Sequence, residues 1–255
     1  MLVSVLASGS KGISTYIETS DVKILIDFGM STKYTKERLL ELDTNLEDID
    51  YILITHSHKD HTAGLKTFIK KYKTKIFISP KMLEDLPFLK EYNNLVLTNK
   101  PFNIGKTNID FFKTSHDTSD SRGFIIEDNS SSMVYITDTG YINQKNFNKI
   151  SNKNLYVLES NHDVEMLMEG PYPDFLKQRV LSDVGHLSNN ACAFYLSKLI
   201  GDKTKTVILA HLSEKNNKEE VALKTIYETF SEYEVDFNNI IVAKQNAATE
   251  GIIIW

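Results

Sequence analysis

The sequence holds one cysteine in 255 residues, so no disulfide can form within the chain. Cys192 lies in Asn190-Ala191-Cys192-Ala193-Phe194, an apolar helical context that reads as a small core residue rather than a nucleophile. Proline is scarce, at five residues, and no Pro/Gly-rich linker, repeat or low-complexity tract divides the chain. No apolar run reaches the length of a membrane span. The stretch Met1-Leu2-Val3-Ser4-Val5-Leu6-Ala7 also lacks the basic flank of a signal peptide. A cytoplasmic protein without membrane contact is the expectation. A charge excess is missing too: a net charge of −5, with 25% charged residues, advertises no polyanionic partner. It does not exclude one, because two divalent cations would add about +4 at the site where an anionic substrate arrives.

Hydrophobic residues make up 41% of the chain, enough for a substantial core. Short β-rich runs occupy residues 2–7, 14–18 and 23–27, and a helical spacing follows over 34–42. An apolar strand over 50–55 leads into a histidine cluster, with a helix expected over 63–72. Further strands are expected at 75–79, 109–115, 123–127, 133–138 and 155–159. The last third alternates helices at 174–181, 188–199 and 219–230 with strands at 206–210, 240–243 and 252–254. Ser188-Asn189 is a plausible N-cap. Mixed elements without a boundary argue for one α/β-type (α+β) domain over residues 1–255, with helices covering sheets.

Thr55-His56-Ser57-His58-Lys59-Asp60-His61 is the most informative stretch, holding three of the seven histidines within six positions. A strand ending at Thr55 would put His56 and His58 on one side, and a turn into a helix would aim Asp60 and His61 nearby. Imidazole and carboxylate suit zinc, iron or manganese, and four such groups exceed what one tetrahedral site draws from a local segment. They suggest two metals. His116, Asp138 and His211 each follow an expected strand, as Asp27 does after Ile24-Leu25-Ile26. Any one of these alone reads as a hydrogen-bonded turn residue. The repetition of one placement points to a shared site.

With Asp27, the His-x-His-x-Asp-His cluster, His116, Asp138 and His211 in this order, the chain resembles the metallo-β-lactamase superfamily over its whole length. That resemblance implies a four-layer αββα sandwich with two divalent metal ions (Zn, Mn or Fe) at one edge of the sheets. It would assign His56, His58 and His116 to one metal and Asp60, His61 and His211 to the other. Asp138 would bridge them, and Asp27 would orient a ligand histidine through its free ring nitrogen. Asp138 stands where β-lactamases carry a cysteine, so a lactam substrate is not expected.

Gly185-His186-Leu187-Ser188-Asn189 and Leu158-Glu159-Ser160-Asn161-His162-Asp163 resemble segments of metal-dependent nucleases. Together with Ser8-Gly9-Ser10-Lys11-Gly12, they are most similar to the bacterial YycJ/WalJ group. The group's asparagine after that turn is replaced by Ile13. This likeness implies a phosphodiesterase or nuclease acting on DNA, 5′ to 3′ exonuclease-like, through a hydroxide shared by two metals. Asp60 would orient that hydroxide or take its proton, and His186, paired with Glu159, would protonate the leaving oxygen. Ser8, Ser10, Asn161, His162, Ser188 and Asn189 are candidate substrate contacts.

Other readings stand beside these. His186 could cap the following helix, and His162 could bond neighbouring backbone. Lys177 and Arg179 could bind phosphate or form a solvated helix face. The lysines at 66, 70, 71, 73 and 75 could be a solvated face or a basic track for nucleic acid. The whole could be a small-molecule hydrolase on the same fold, such as a cyclic phosphodiesterase or a glyoxalase-II-like thioesterase, or a metal-binding module without catalysis.

Overall fold

In the computed structural model, which describes residues 1–129 and 131–254, central strands are apolar on both faces. Along Leu155–Glu159, Leu155 and Val157 enter one apolar cluster while Tyr156 and Leu158 enter another. Met133 and Tyr135 likewise part from Val134 and Ile136. A strand covered on both sides needs apolar residues at every position, so these runs lack the usual polar alternation.

Strands β1 (Leu2–Ala7), β2 (Ser14–Glu18), β3 (Lys23–Ile26), β4 (Tyr51–Leu53), β5 (Lys75–Ile78) and β6 (Leu95–Leu97) lie side by side in one sheet. The second sheet takes β7 (Phe102–Ile104), β8 (Thr107–Lys113), β9 (Arg122–Asp128) and β10 (Ser131–Ile136). It continues with β11 (Leu155–Glu159), β12 (Thr206–Ala210) and β13 (Ile240–Val242). β14 (Ile252–Ile253) returns to the first sheet, antiparallel to β1. Helices α1 (Thr32–Leu40), α2 (Lys59–Thr62), α3 (Leu65–Phe68) and α4 (Met82–Asp85) interrupt the first sheet's strands. Helices α5 (Phe147–Ile150), α6 (Val164–Glu169), α7 (Asp174–Leu181), α8 (Asn189–Leu199) and α9 (Glu219–Glu232) belong to the second half.

Three apolar layers hold these elements together. Leu39, Leu65, Phe68 and Met82 pack on Leu25, Ile52 and Ile76 of the first sheet. Ile24 and Leu53 meet Ile126, Val157 and Ile208 between the sheets. Leu196, Ile226 and Phe230 cover Tyr156 and Val207 of the second sheet. The order helix, sheet, sheet, helix is the αββα sandwich that the resemblance implied. Cys192 is buried in the outer layer, and burial pushes its thiol well up. Among the described residues no helix is long and apolar enough to cross a membrane.

Strand direction fixes where functional groups collect. β3 through β6 run parallel, as do β10 through β13. β8 shares the direction of β10, because each is antiparallel to β9. The carboxyl ends of β8, β10, β11 and β12 therefore emerge on one edge, the usual place for ligands in such sheets.

Two expected elements differ near the histidine cluster. The strand ends at Leu53, not Thr55, because the carboxylate of Asp27 takes the Thr55 N–H at 2.8 Å in place of a ladder carbonyl. His56 and His58 thus lie in a loop, and their placement does not come from strand alternation. The helix expected over 63–72 shortens to the single turn α3, separated at Ala63-Gly64 from the preceding turn α2. Gly64 passes so close to Met30 and Phe28 that an added Cβ would lie 2.1 Å from the Met30 carbonyl. The strands β6 and β7 and helix α6 were not anticipated; each has six residues or fewer.

Candidate metal centre

Three of the residues at this edge, Asp27, Asp138 and His211, adopt left-handed backbone with φ of 62°, 56° and 58°. Each follows a strand of the sandwich, and side chains with a Cβ rarely take this conformation. It turns the side chain across the sheet ends instead of along the strand. Such conformations persist where the surrounding packing fixes them, often at functional sites.

Asp27 anchors the first-sheet side. One carboxylate oxygen accepts from the Thr55 N–H, and the other meets Thr55 Oγ1 at 2.8 Å and His61 Nδ1 at 2.7 Å. With Nδ1 engaged, His61 turns Nε2 toward Asp138 Oδ2, 3.1 Å away. Thr55 Oγ1 also lies 3.0 Å from His56 Nδ1. This hydroxyl fixes two histidine rings at once, a role the sequence did not signal, since a threonine before a histidine cluster is unremarked by composition.

From the second sheet come His116, Asp138, Glu159 and His211. His116 Nδ1 faces the carbonyls of Val184 and Gly185 at 3.1 and 3.2 Å, which leaves Nε2 facing His58 Nδ1 at 3.1 Å. Glu159 Oε1 lies 2.7 Å from His186 Nδ1 and 2.8 Å from His211 Nδ1, so one carboxylate holds two imidazoles. Its second oxygen accepts from the backbone N–H groups of Thr139 and Leu187. Burial alone would raise the Glu159 pKa, but His186 and His211 outweigh it and bring it down to about 2.

The centre's electrostatics ask for a cation. Asp27, Asp60, Asp138 and Glu159 meet here, and among the described residues no Lys or Arg forms an ion pair with any of them. Burial disfavours the charged forms of His61 and His211, yet the surrounding carboxylates hold both pKa values well above the ordinary range. His56, with burial and neighbouring imidazoles acting together, goes well below it. His56 Nε2, His61 Nε2, His211 Nε2 and Asp138 Oδ2 are buried without hydrogen-bond partners. Unpaired buried polar atoms carry a large desolvation penalty, and coordination would relieve these four together.

The expected ligands are therefore brought together. His56, His58 and His116 can offer atoms within 4.8 Å of one another, as can His56, His61 and Asp138, and Asp138, Glu159, His186 and His211. Asp60 reaches the same point from α2, with Oδ2 3.7 Å from both His61 Nε2 and His211 Nε2. Its backbone carbonyl accepts from the Ile13 N–H at 2.8 Å. That clamp uses main chain only, and Ile13 is buried in the inter-sheet core. An asparagine there is thus not required to fasten Asp60.

Most of the expected substrate contacts are occupied otherwise. Ser8 accepts from the His211 N–H at 2.7 Å, and Asn161 donates to the His211 carbonyl at 2.8 Å, so both brace a loop from beneath. Asn189 is fully buried against Ser160 and Asn217. Ser188 is the N-cap of α8, accepting from the Ala191 N–H, which leaves His186 free of the capping role. His162 is buried with neither ring nitrogen bonded, so it contacts neither solvent nor backbone through them. Ser10 alone is exposed, beside the Lys11–Glu214 ion pair. The lysine run leads away from the centre: Lys75 begins β5, at the end opposite the site, and Lys71 and Lys73 precede it. Lys177 is tied back to the Met168 carbonyl at 2.5 Å, whereas Arg179 pairs with Asp117 at 2.6 and 2.9 Å. Asp117 was not foreseen; its one sequence signal is its place directly after His116.

Comparison with known proteins agrees with this geometry. A family model described as "Beta-lactamase superfamily domain" matches residues 23–212. The chain is 36% identical over 236 residues to "Exodeoxyribonuclease YycJ" of Bacillus anthracis, covering 90% of this chain and 89% of that protein. It is 39% identical over 230 residues to "Exodeoxyribonuclease WalJ" of Streptococcus pneumoniae, covering 88% and 86%. Among solved structures, the metallo-β-lactamase fold protein YhfI of Bacillus subtilis superposes with a TM-score of 0.73 at 18% identity, over 98% of this chain and 99% of that one.

Proposed function

Since the chain belongs to the beta-lactamase superfamily and is an exodeoxyribonuclease-like metal-dependent hydrolase, we propose that it cleaves the phosphodiester bonds of DNA at this dinuclear centre. His56, His58 and His116 would hold one divalent cation, Asp60, His61 and His211 the other, and Asp138 both. Zinc, manganese and iron all accept this donor set of imidazole and carboxylate. Bound cations would supply an activated water near neutral pH and charge to neutralise the phosphate.

The chain's own residues do the rest. Asp27 and Thr55 hold the rings of His61 and His56 in orientation, and Glu159 does so for His211. Asp60, partly open to solvent at the mouth of the centre, orients the attacking water or takes its proton. His186 is the general acid. Its Nδ1 is bound by Glu159 and lies 3.5 Å from Asp138 Oδ1, which leaves Nε2 for the leaving group.

That His186–Glu159 pair is the observation that carries the phosphodiester reading. A thiolate leaves readily without a proton, since thiols ionise near pH 8.5, whereas a sugar alkoxide needs one. A thioesterase has little use for an acid here. The test incubates Mn²⁺-loaded protein with end-labelled duplex DNA, bis(p-nitrophenyl) phosphate and a glutathione thioester, with His186→Ala alongside. Cleavage of DNA that falls roughly 10²–10⁴-fold in the variant, with metal retained, is expected. Turnover of the thioester alone would overturn the nuclease reading.

A further inference from the structure

Among the described residues, Arg179 is the one arginine or lysine that an ion pair brings beside the candidate metal ligands. Its Nε and Nη2 donate to the two carboxylate oxygens of Asp117 at 2.6 and 2.9 Å. Asp117 Oδ1 in turn lies 3.6 Å from His116 Nε2 and 3.8 Å from His58 Nε2. The guanidinium therefore sits one carboxylate away from the mouth of the centre. Both partners stay accessible, with the Arg179 side chain 42% exposed. Among the described residues its Nη1 has no partner, so a planar donor edge is left over.

The helix that carries Arg179 has a second unusual feature. Phe175, one turn earlier on α7, is 72% exposed, more than any other large apolar residue described. Positions i and i+4 share a helix face, so Phe175 and Arg179 lie on the same side of α7. α7 ends at exposed Leu181, and the chain continues through exposed Val184 to Gly185 and His186. The carbonyls of Val184 and Gly185 are those that meet His116. The helix is thus fastened directly to the centre at its carboxyl end.

We propose that α7 holds the DNA strand next to the bond being cut, with Arg179 on a neighbouring phosphate and Phe175 stacked on a base. Charge and aromatic surface in this combination suit a single strand, where a cationic group follows the backbone and a ring takes the base without regard to sequence. Asp117 is the positioning residue: it fixes the guanidinium plane and keeps the arginine from folding onto the buried carboxylates. A substrate with one phosphate and no neighbouring nucleotide would not use the helix. The inference rests on the nuclease reading only for the identity of the strand.

Two measurements on the Mn²⁺-loaded full chain test it. The first is binding of a fluorescent single-stranded oligonucleotide to His186→Ala protein, in which DNA is spared. Adding Arg179→Ala or Phe175→Ala should weaken binding about tenfold each. Arg179→Ala should also lower the slope of log affinity against log salt by about 0.7, as loss of one phosphate contact on a single strand requires. The second measurement is turnover without the His186 change. KM for DNA should rise in both variants, while bis(p-nitrophenyl) phosphate hydrolysis stays within about twofold. Lys177→Ala, whose ammonium is tied to Met168, should leave both unchanged. An unchanged salt slope, equal losses on both substrates, or no oligonucleotide binding by the parent protein would each overturn the proposal. Binding that depends on Arg179 and Phe175, in a protein that cuts bis(p-nitrophenyl) phosphate but never DNA, would uphold α7 as the holder of a nucleic-acid strand and sink the DNA-nuclease reading instead.

Discussion

His162 shows how a single side chain can set acid sensitivity without touching substrate. It is 1% exposed, and neither ring nitrogen has a hydrogen-bond partner. Burial, with His186 acting in the same direction, pushes its pKa down from the ordinary 6.5 to about 4. The unfolded chain takes up this proton near pH 6.5 and the folded one only near 4. Between those values the unfolded state binds more protons, so the stability from a neutral His162 is complete above about pH 6.5 and is lost as pH falls toward 4. Replacing it by Phe removes the titration. Urea midpoints of metal-free protein and His162→Phe, compared at pH 7.5, 6 and 4.5, should show the variant gaining on the parent as pH drops. Parallel curves would refute this. The sequence displayed the residue inside a suggestive motif but not its burial, because burial is set by α8 and the loop at Asn216, far along the chain. The strand-end residues were legible for the opposite reason: an apolar run that stops at Asp or His declares itself locally. Their positive φ did not, since nothing in the letter Asp or His announces left-handed backbone.

At the scale of elements, strands were read more securely than the turns that aim their ends. The runs at β10, β11 and β12 are apolar throughout because helices and a second sheet cover both faces. The pairing of Glu159 with His186 follows from the resemblance, but the neighbour order that sets β11 beside β12, and so Glu159 beside His211, was not readable. The helix expected over 63–72 shrinks to α3, because helical spacing carries no information about the close pass at Gly64. α8, by contrast, was legible from its cap. Ser188 accepts from the Ala191 N–H and lies two residues after His186, so it fixes the start of the helix and the exit angle of the proposed acid. Ser188→Ala should cost about 1 kcal/mol of stability. It should also lower kcat more than metal occupancy, because His186 loses its fixed approach. Ser188→Asp, which keeps a capping oxygen, should recover both. Recovery of stability without recovery of kcat would mean that the cap does not position His186.

On the scale of the whole molecule, the centre lies across the seam between the two sheets. His56, His58, Asp60 and His61 follow β4 of the first sheet, whereas His116, Asp138 and His211 follow β8, β10 and β12 of the second. Away from the site, the sheets meet through the apolar layer of Ile24, Leu53, Ile126, Val157 and Ile208. At the site the seam is polar, with His61 Nε2 facing Asp138 Oδ2 and four buried atoms unpaired. Cations coordinated there would join the halves through bonds that the unfolded chain cannot offer in the same geometry, so binding adds to folding stability. At a free-metal concentration a thousandfold above the dissociation constant, one such site contributes about 4 kcal/mol. For a chain of this size that corresponds to a rise in Tm of roughly 10 °C. Adding a chelator should lower Tm by at least that amount and speed amide exchange at Thr55 and Thr139, whose N–H groups bond Asp27 and Glu159 on opposite sides of the seam. In Asp138→Ala, which removes the carboxylate that both sides share, the gap between chelated and metal-loaded Tm should shrink sharply. A full gap in that variant would mean that each metal is held within one sheet, and the seam would then owe its cohesion to the apolar layer alone.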